Sequence, residues 1–380
     1  MALTVLMNAG PWLPVPPGGY GGIENVITTL VPELRRRGVR VVLCATAGSS
    51  LEVDRLVETV PAPRFAHVAR PYNQVSGIAH AHMAAVVREL RSDPGIGLVH
   101  DHLEVVGPAV LGAMGHAAPP VLQTLHWDLG KHADFYSTFD GAGRIFFAGV
   151  SDPQVARAPA ALRAQVLGSV PLAVDVASHP FVAHKGERFL TLARFTEAKG
   201  QDAAARACRA VGAGLDMAGP VAGAADAAAL ERGLADPTGA LDGHPDVEWY
   251  LRAVRPLEDG AQVRWIGSLT GAAKLKALGE ARALLCPVRW EEPGATAVVE
   301  AMACGTPVIG LRRGVLPSLV EEGRTGFLAD HEDELPSLLR RAGELHPRAC
   351  RAAAEERFTA GRMAERYLAL YEEVIGRATG

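Results

Sequence analysis

The sequence predicts an α/β protein built from two doubly wound, parallel-sheet domains of the Rossmann-like kind. Three observations predict this fold class. The chain has 380 residues, short apolar runs alternate with amphipathic segments, and the alternation starts again near the middle of the chain. A chain of this length is too long for one small core and suits two domains. Strands that alternate with helices form parallel sheets, because the helix supplies the crossover between neighbouring strands.

The first β-loop-α-β unit opens the chain. The apolar run Leu3 to Asn8 predicts a buried parallel strand. The segment Glu24 to Arg37 carries its apolar residues on one helical face, although Pro32 lies inside it and can kink it. Gly38 then caps the helix, and Val39 to Ala45 predicts the second strand.

The same alternation continues towards the C-terminus. Further strands are predicted at 97–102, 120–126, 144–150, 189–193, 215–218, 263–266, 283–287 and 307–311. Further helices are predicted at 80–90, 203–211, 272–283 and 296–303, with one or two amphipathic helices over 350–375. Residues 219–262 are rich in Ala, Gly and Pro and predict no element that can be placed.

The seam between the two series lies near Pro171 to Pro180. We therefore expect an N-terminal domain over residues 1–172 and a C-terminal domain over residues 173–348. Residues 349–380 are expected to form a helical segment that packs back on the N-terminal domain.

The bulk composition excludes several protein classes. Hydrophobic residues make up 48% and charged residues 21%, which is ordinary for a globular protein. The net charge of -4 gives no bulk attraction for nucleic acid or an anionic membrane, so any bound phosphate must be held locally. The five cysteines include no C-x-x-C pair, which indicates buried thiols in a reducing compartment.

The N-terminal run Met1 to Met7 has no basic leader and predicts a first strand rather than a signal peptide. No apolar run is long enough to span a bilayer. The sequence therefore favours a cytoplasmic protein.

Two glutamates separated by seven residues form the strongest chemical signal. Pro293 and Gly294 favour a turn, so Glu292 is expected in a loop and Glu300 on the helix that follows. The N–H groups and partial positive charge of a helix N-terminus suit a phosphate. Spacing alone leaves open an ordinary loop glutamate and an ordinary helix-surface glutamate.

The run Glu292 to Ile309 resembles the E-x7-E signature of retaining GT-B glycosyltransferases of family 4. Its E-P-G-A-T variant, in place of the commoner E-P-F-G-L, is most similar to an actinobacterial antibiotic-pathway branch. Other segments resemble family motifs in the same order along nearly the whole chain: the glycine-rich loop 18–24, 100–102 (VHxH), 170–175 (IPNGVD), 193–200 (GRLxxEKG) and 263–267 (VxFLG).

The resemblance implies a GT-B fold, in which two Rossmann-like domains face each other across a cleft that holds the active site. Domain 1–172 would bind the acceptor and domain 173–348 the nucleotide-sugar donor. Arg194 and Lys199 would bind the donor diphosphate. The positions of Arg194 and Lys199 in the sequence agree with this role, because both lie just past the end of a predicted strand, where parallel sheets bind ligands. Without the motif, a solvated surface pair is the ordinary interpretation.

The resemblance also assigns roles around the two glutamates. Glu300 would bind the ribose hydroxyls, and Glu292 would bind the transferred sugar. The backbone N–H groups of Gly294, Ala295 and Thr296 would lie near the sugar and the diphosphate.

Glycines supply the remaining donor-binding candidates. The resemblance implies that Gly21 and Gly22 let the N-terminal loop approach the donor phosphates, and Gly267 is a further candidate. Taken alone, the stretch from Gly18 is similar to a dinucleotide fingerprint, but Glu24 stands where the last glycine belongs. No acidic residue ends the second strand either, so a nicotinamide-dependent oxidoreductase is not expected.

Three histidines end predicted N-terminal strands. In the resembling enzymes a histidine at the place of His126 faces the cleft near the sugar and acceptor; a packed or capping histidine is the alternative. His100 and His102 are expected on the same side of their strand. The sequence offers no third metal ligand, so we expect acceptor contacts or structural hydrogen bonds rather than zinc.

Together these features predict a retaining glycosyltransferase with Arg194, Lys199, Glu292 and His126 as catalytic residues. The chain has no D-x-D motif, with which the GT-A class holds its metal, so we expect no metal and no cofactor beyond the nucleotide-sugar co-substrate. A UDP-sugar is the expected donor, with GDP, dTDP and ADP as the other nucleotides. The expected acceptor is a hydroxyl of a soluble small molecule or glycan, bound by loops near residues 11–17, 68–77 and 128–139. Secondary metabolism fits the antibiotic-pathway resemblance.

Alternatives stay open. A nucleotide-sugar hydrolase or epimerase would share the fold, and a hydrolase would release free sugar without an acceptor. A non-catalytic nucleotide-sugar-binding partner would bind without turnover. The three arginines at 35–37 could serve a membrane surface, but cations at a helix C-terminus are expected from the helix dipole, so neither a membrane nor a nucleic-acid partner is expected.

Overall fold

The computed structural model describes residues 2–19, 21–68, 70–237, 239 and 241–379. The chain divides into two compact units. Unit 1 comprises residues 1–173 and 360–380, and unit 2 comprises residues 174–359. The expected C-terminal segment 349–380 is thus divided: its first part belongs to unit 2 and its last helix to unit 1.

The strands of both units are short and mostly apolar. They are β1 (Thr4–Gly10), β2 (Arg40–Ala45), β3 (Arg55–Glu58), β4 (Leu98–Asp101), β5 (Val121–Leu125), β6 (Ile145–Gly149), β7 (Val166–Ser169), β8 (Phe189–Leu192), β9 (Leu215–Ala218), β10 (Val263–Trp265), β11 (Leu284–Cys286), β12 (Val308–Leu311) and β13 (Gly326–Ala329).

The helices follow the strands along the chain. They are α1 (Gly22–Arg36), α2 (Tyr72–Ser92), α3 (Val106–Met114), α4 (Ala133–Thr138), α5 (Asp152–Ala156), α6 (Ala160–Arg163), α7 (Gln201–Ala210), α8 (Ala227–Leu234), α9 (Pro245–Trp249), α10 (Gly271–Glu280), α11 (Thr296–Ala303), α12 (Leu316–Leu319), α13 (Leu335–Arg340), α14 (Pro347–Arg357) and α15 (Ala360–Thr379). No helix of the described residues is long and apolar enough to cross a bilayer.

Unit 1 is a seven-stranded parallel sheet in the order β3-β2-β1-β4-β5-β6-β7. Side chains alternate along a strand, so β1 contributes to an apolar core on each face of the sheet. Val5 and Met7 pack on the side of α1 and α15, whereas Leu6 packs on the side of α2 and α3. The sheet is therefore covered on both faces, as the continuous apolar strands predict.

Unit 2 repeats this architecture with a six-stranded parallel sheet in the order β10-β9-β8-β11-β12-β13. Leu190 of β8 packs with α10, α11 and α14, whereas its neighbour Phe189 packs with α7 and α13. Two doubly wound parallel sheets confirm the predicted fold class.

The predicted elements match the structure at most positions, with differences that have local causes. The predicted helix 80–90 begins earlier, at Tyr72, so α2 takes in part of the predicted loop 68–77, whose Ala69 lies outside the described residues. Helix α1 continues through Pro32. The stretch 219–262, in which 238 and 240 lie outside the described residues, contains α8 and α9.

Candidate active site

Two loops of unit 2 lie side by side at the carboxyl edge of the sheet, one after β8 and one after β11. The backbone N–H of Arg289 donates to the carbonyl oxygen of Ala198 over 2.8 Å. Gly200 has a left-handed φ of 70°, and a Cβ at this position would lie 2.1 Å from the carbonyl oxygen of Pro287. Only glycine allows the two loops to approach this closely.

These loops bring together a group of three side chains, the Lys199 cluster: Lys199, Trp290 and Glu292. The Lys199 ammonium is ion-paired with Oε2 of Glu292. Trp290 donates its indole Nε1–H to the same oxygen over 2.9 Å, and Lys199 Nζ lies 5.1 Å from the centre of the Trp290 ring. The cluster is largely buried, so these charge interactions are less screened than at the surface.

Arg289 fixes the position of the loop that carries Lys199. Its guanidinium donates to Asp202 over 2.9 Å, to Glu332 over 2.6 Å and to the backbone carbonyl of Glu197 over 3.1 Å. The Glu197–Lys199 turn is thereby tied to the loop that carries Glu292. This fixes the distance between the two members of the ion pair.

The second glutamate of the motif lies on α11, as the sequence predicts. Glu300 is 9% exposed, and its Oε1 accepts a hydrogen bond from Lys274 Nζ over 2.6 Å. Ala295 immediately precedes α11 with a left-handed φ of 55°, and no side chain caps the helix N-terminus. The start of α11 thus presents backbone N–H groups close in sequence to Glu292.

A third loop, after β12, supports Glu292 from behind. The backbone N–H of Gly314 donates to Oε2 of Glu291 over 2.8 Å, and that of Val315 donates to the carbonyl oxygen of Glu292 over 2.8 Å. Gly314 has a φ of 53°, and a Cβ there would lie 2.3 Å from both N and O of Glu292. Only a residue without a side chain fits at this contact.

Arg194 and Gly267 also follow strands at the carboxyl edge of this sheet. Arg194 is exposed, and its carbonyl oxygen accepts a hydrogen bond from Gln201 Nε2 over 2.8 Å. Gly267 has a φ of 79°, and a Cβ there would come within 3.0 Å of the carbonyl oxygen of Ala225. Their donor-binding roles stay predictions.

Gly21 and Gly22 of the glycine-rich loop of unit 1 have different surroundings; Tyr20, which precedes them, lies outside the described residues. A Cβ on Gly21 would lie 2.7 Å from Pro17 Cβ and 3.0 Å from Oε2 of Glu24, whereas a Cβ on Gly22 would meet no atom within 4 Å. Glu24 is 5% exposed, and burial raises its pKa to about 7. Packing therefore accounts for Gly21, and a role in approaching phosphates stays a prediction for both glycines.

The three predicted histidines lie together at the ends of β4 and β5. The rings of His100 and His102 are 4.2 Å apart, which confirms that they face the same side. His100 contacts the Tyr371 hydroxyl over 2.7 Å and the Thr124 hydroxyl over 2.8 Å. His102 Nδ1 lies 2.8 Å from His126 Nε2.

His100 and His102 are thus buried, hydrogen-bonded side chains, in agreement with one of the two predicted roles. Among the described residues, no group of three or more His, Cys, Asp or Glu side chains is placed to hold a metal ion.

The three arginines at the end of α1 all pair with carboxylates. Arg35 lies 2.9 Å from Glu52, Arg36 pairs with Glu33, and Arg37 pairs with Glu33 and, over 3.2 Å, with Glu365 of α15. These ion pairs give the arginines a structural function within unit 1.

The sequence did not single out five residues that shape the site in unit 2. Three of them adjoin the predicted motif: Arg289, Trp290 and Glu291. Lys274 is one of only five lysines in the chain, and this rarity is the one feature of the sequence that could have indicated it. Gly314 lies in a distant loop. Of the predicted residues, the structure brings Lys199 and Glu292 into contact, whereas His126, Gly21 and Gly22 belong to unit 1.

Two protein-family models match the chain in sequence order. The model described as Glycosyltransferase Family 4 matches residues 20–152, and the model described as Glycosyl transferases group 1 matches residues 179–352. The first covers most of the N-terminal part of unit 1, and the second covers most of unit 2.

Two curated relatives differ in how much of their length is matched. An N-acetyl-alpha-D-glucosaminyl L-malate synthase of Bacillus anthracis is 29% identical over 139 residues, which are 34% of this chain and 36% of that protein. A D-inositol 3-phosphate glycosyltransferase of Actinosynnema mirum is 26% identical over 348 residues, which are 82% of this chain and 80% of that protein. The chain spans little more than a third of the first relative and most of the second.

Solved structures show the same fold over nearly the whole chain. AviGT4, a glycosyltransferase involved in avilamycin A biosynthesis, is 25% identical with a TM-score of 0.63, covering 98% of each chain. The HepE protein of Anabaena, solved in complex with UDP-glucose, is 16% identical with a TM-score of 0.67, covering 98% of this chain and 100% of that one. The second likeness concerns the fold alone.

Proposed function

Because the chain is a glycosyltransferase of the GT-B fold, similar to family 4, we propose that it transfers a sugar from a UDP-sugar to an acceptor hydroxyl with retention of anomeric configuration. The observation that supports this best is the Lys199 cluster together with the start of α11, since a cation, a carboxylate and a helix N-terminus then lie at one edge of the unit 2 sheet. Parallel α/β sheets bind their ligands at this edge.

The diphosphate of the donor binds to Lys199, to Arg194 and to the backbone N–H groups at the start of α11. A cation and a helix N-terminus both favour a phosphate group, and a charge-assisted hydrogen bond contributes about 1.5–3 kcal/mol. Lys199 is already held in place by Glu292 and Trp290. It therefore loses little side-chain freedom when the diphosphate binds.

The two glutamates bind the sugars on either side of the diphosphate. Glu292, steadied by Trp290 and by the Gly314 loop, accepts hydrogen bonds from the transferred sugar. Glu300 accepts hydrogen bonds from the ribose, and Lys274 keeps its carboxylate in place. UDP is the nucleotide to test first, since a protein of this fold has been solved with UDP-glucose.

The reaction proceeds on the face from which the diphosphate leaves. The bond between the anomeric carbon and the diphosphate oxygen breaks, the bond to the acceptor oxygen forms, and the acceptor proton passes to the departing diphosphate. Negative charge grows on the diphosphate in the transition state, so Lys199 and Arg194 stabilise the transition state more than the bound donor. No divalent metal is needed in this scheme, and the acceptor is a soluble small molecule or glycan.

Calorimetric titration with UDP, GDP, dTDP and ADP in the presence of a chelator tests the donor site. One diphosphate is expected to bind, and binding is expected to be lost in Lys199→Ala/Arg194→Ala. The matched control is Lys276→Ala, an exposed lysine of the same unit whose carboxylate partner lies 4.0 Å away. Absence of binding to all four nucleotides by the folded protein would contradict the proposal.

Product analysis then tests the reaction. Incubation with the sugars of the bound nucleotide and a panel of hydroxyl acceptors is expected to give a glycoside with the anomeric configuration of the donor, read by NMR. An inverted product would refute retention. Free sugar without an acceptor would indicate a hydrolase, and binding without turnover a non-catalytic partner.

A further inference from the structure

A line of three side chains in unit 1 connects a buried thioether to His126. Met7 of β1 is fully buried, and its Sδ lies 3.0 Å from Nε2 of His102. Nδ1 of the same His102 ring lies 2.8 Å from Nε2 of His126. His102 is 1% exposed, whereas His126 as a residue is partly exposed.

The thioether determines which nitrogen carries each proton. A methionine sulfur only accepts hydrogen bonds, so Nε2 of His102 carries the hydrogen that points at Met7. A neutral imidazole has one N–H, so Nδ1 of His102 is then an acceptor, and Nε2 of His126 must donate to it. Nδ1 of His126 is left with a lone pair.

Both rings are neutral near pH 7, so each carries a single N–H. Burial lowers the pKa of His126 to about 3, and burial together with the neighbouring histidines lowers the pKa of His102 well below its ordinary value. A protonated ring would donate from both nitrogens and would make the order of hydrogen bonds indeterminate.

The lone pair on Nδ1 of His126 lies on the side of the ring opposite the contact with His102. No described residue provides a hydrogen-bond partner for Nδ1, and since that atom is not among the buried side-chain polar atoms that lack a partner, it is not fully buried. His126 follows directly after β5, at the carboxyl edge where a parallel sheet binds its ligands.

We propose that Met7 and His102 are positioning residues that hold His126 in the Nε2–H tautomer, so that its Nδ1 accepts a hydrogen bond from a substrate hydroxyl. The role towards substrate rests on the proposed transferase function, whereas the tautomer itself does not. In the opposite tautomer of His126, its Nδ1 would carry the proton and be a donor. His102 would then carry its own proton on Nδ1, so its Nε2 would have no hydrogen to donate to the sulfur of Met7.

The tautomer can be read directly from the full chain with ¹⁵N-labelled histidine by long-range ¹H–¹⁵N correlation. The His126 signals are assigned by their loss in His126→Gln. We expect His126 to be protonated on Nε2 in the wild type and to become a mixture of tautomers in Met7→Leu. Protonation on Nδ1 in the wild type would overturn the proposal whether or not the protein is active.

Kinetics test the consequence for the reaction. Met7→Leu conserves volume and is expected to lower kcat/KM by about 3- to 10-fold, the effect of one misdirected hydrogen bond. Met217→Leu, the same exchange in the buried strand β9 of unit 2, is the matched control. A shifted tautomer in Met7→Leu with unchanged kcat/KM would refute the contact with substrate.

A conservative exchange separates positioning from packing. The Oδ1 of asparagine takes the place of the accepting Nδ1 of a histidine, whereas leucine offers no acceptor. His102→Asn is therefore expected to keep the Nε2–H tautomer of His126 and to retain more activity than His102→Leu. Equal losses of activity in the two variants, with both folded by circular dichroism, would show that His102 only packs.

Discussion

Replacing Gly314 by alanine tests whether the loop after β12 positions Glu292. Gly314 has a φ of 53°, and an added Cβ would lie 2.3 Å from both the N and the O atom of Glu292. Ordinary contact begins at 3.4 Å, so the Glu292 backbone must retreat by about 1 Å. The hydrogen bond from the Gly314 N–H to Glu291 is lost or distorted in the same movement.

The expected effect on activity is large and the expected effect on stability is moderate. A displacement of about 1 Å in a substrate-binding group can lower the rate by about 100-fold, so we expect kcat/KM to fall by that order. The left-handed backbone costs an alanine about 1 kcal/mol, which corresponds to a decrease in Tm of about 2–4 °C for a domain of this size. Steric strain lowers the Tm further.

Gly323→Ala is the matched control. Gly323 lies in the same unit with a φ of 72°, but a Cβ there meets no atom within 4 Å. It therefore carries the backbone strain without the contact with Glu292. Steady-state kinetics with the donor identified by calorimetry, together with thermal unfolding, compare the two variants. If both lower kcat/KM equally, the reasoning about Glu292 is refuted.

Three further exchanges test other parts of the structure. Trp290→Phe keeps the ring beside Lys199 but removes the N–H that donates to Glu292 over 2.9 Å, so the donor KM is expected to rise roughly 3- to 10-fold in steady-state assays; an unchanged KM would argue against it. Ala295→Gly relieves the left-handed φ of 55° and is expected to raise the free energy of unfolding in urea by about 0.5–1 kcal/mol, and a decrease would contradict this. Burial raises the pKa of Glu24 from 4.5 to about 7, so the folded protein binds this proton more tightly than the unfolded chain and loses stability as the pH rises between these values. Glu24→Gln is therefore expected to gain about 2–3 kcal/mol relative to the wild type between pH 5 and pH 8, measured by unfolding at both; a difference independent of pH would refute it.

The apolar pattern of the sequence predicted the strands inside the two sheets and the edge strand β10, but it missed the other three edge strands. Strands β8 and β9 and helix α11 appear close to their predicted bounds, because continuous burial selects an uninterrupted apolar run. Strands β3, β7 and β13 are edge strands of four residues each. Arg-Leu-Val-Glu of β3 and Val-Leu-Gly-Ser of β7 carry too few apolar residues to stand out, since these two edge strands are only partly covered.

In the candidate site, too, some contacts could be predicted from the sequence and others could not. The positions of Lys199 and Glu292 could be predicted because each belongs to a short motif. The support from Gly314 could not, because nothing local in a single sequence says which loops a sheet brings together. The contact between Met7 and His102 likewise depends on β1 lying beside β4, where Met7 is paired with His100. Strand order is a tertiary property, so these contacts required the structure.

The discontinuous composition of unit 1 bears on how the chain is made. Met363, Tyr367 and Tyr371 of α15 belong to the same core as Ile27 and Leu30 of α1, yet they are separated from them by all of unit 2. On the ribosome, unit 2 is a continuous segment and has all of its residues before α15 is synthesised. Unit 1 cannot complete its core until the last helix emerges, so the part of its sheet's apolar face that α15 covers stays exposed in the nascent chain throughout translation of unit 2.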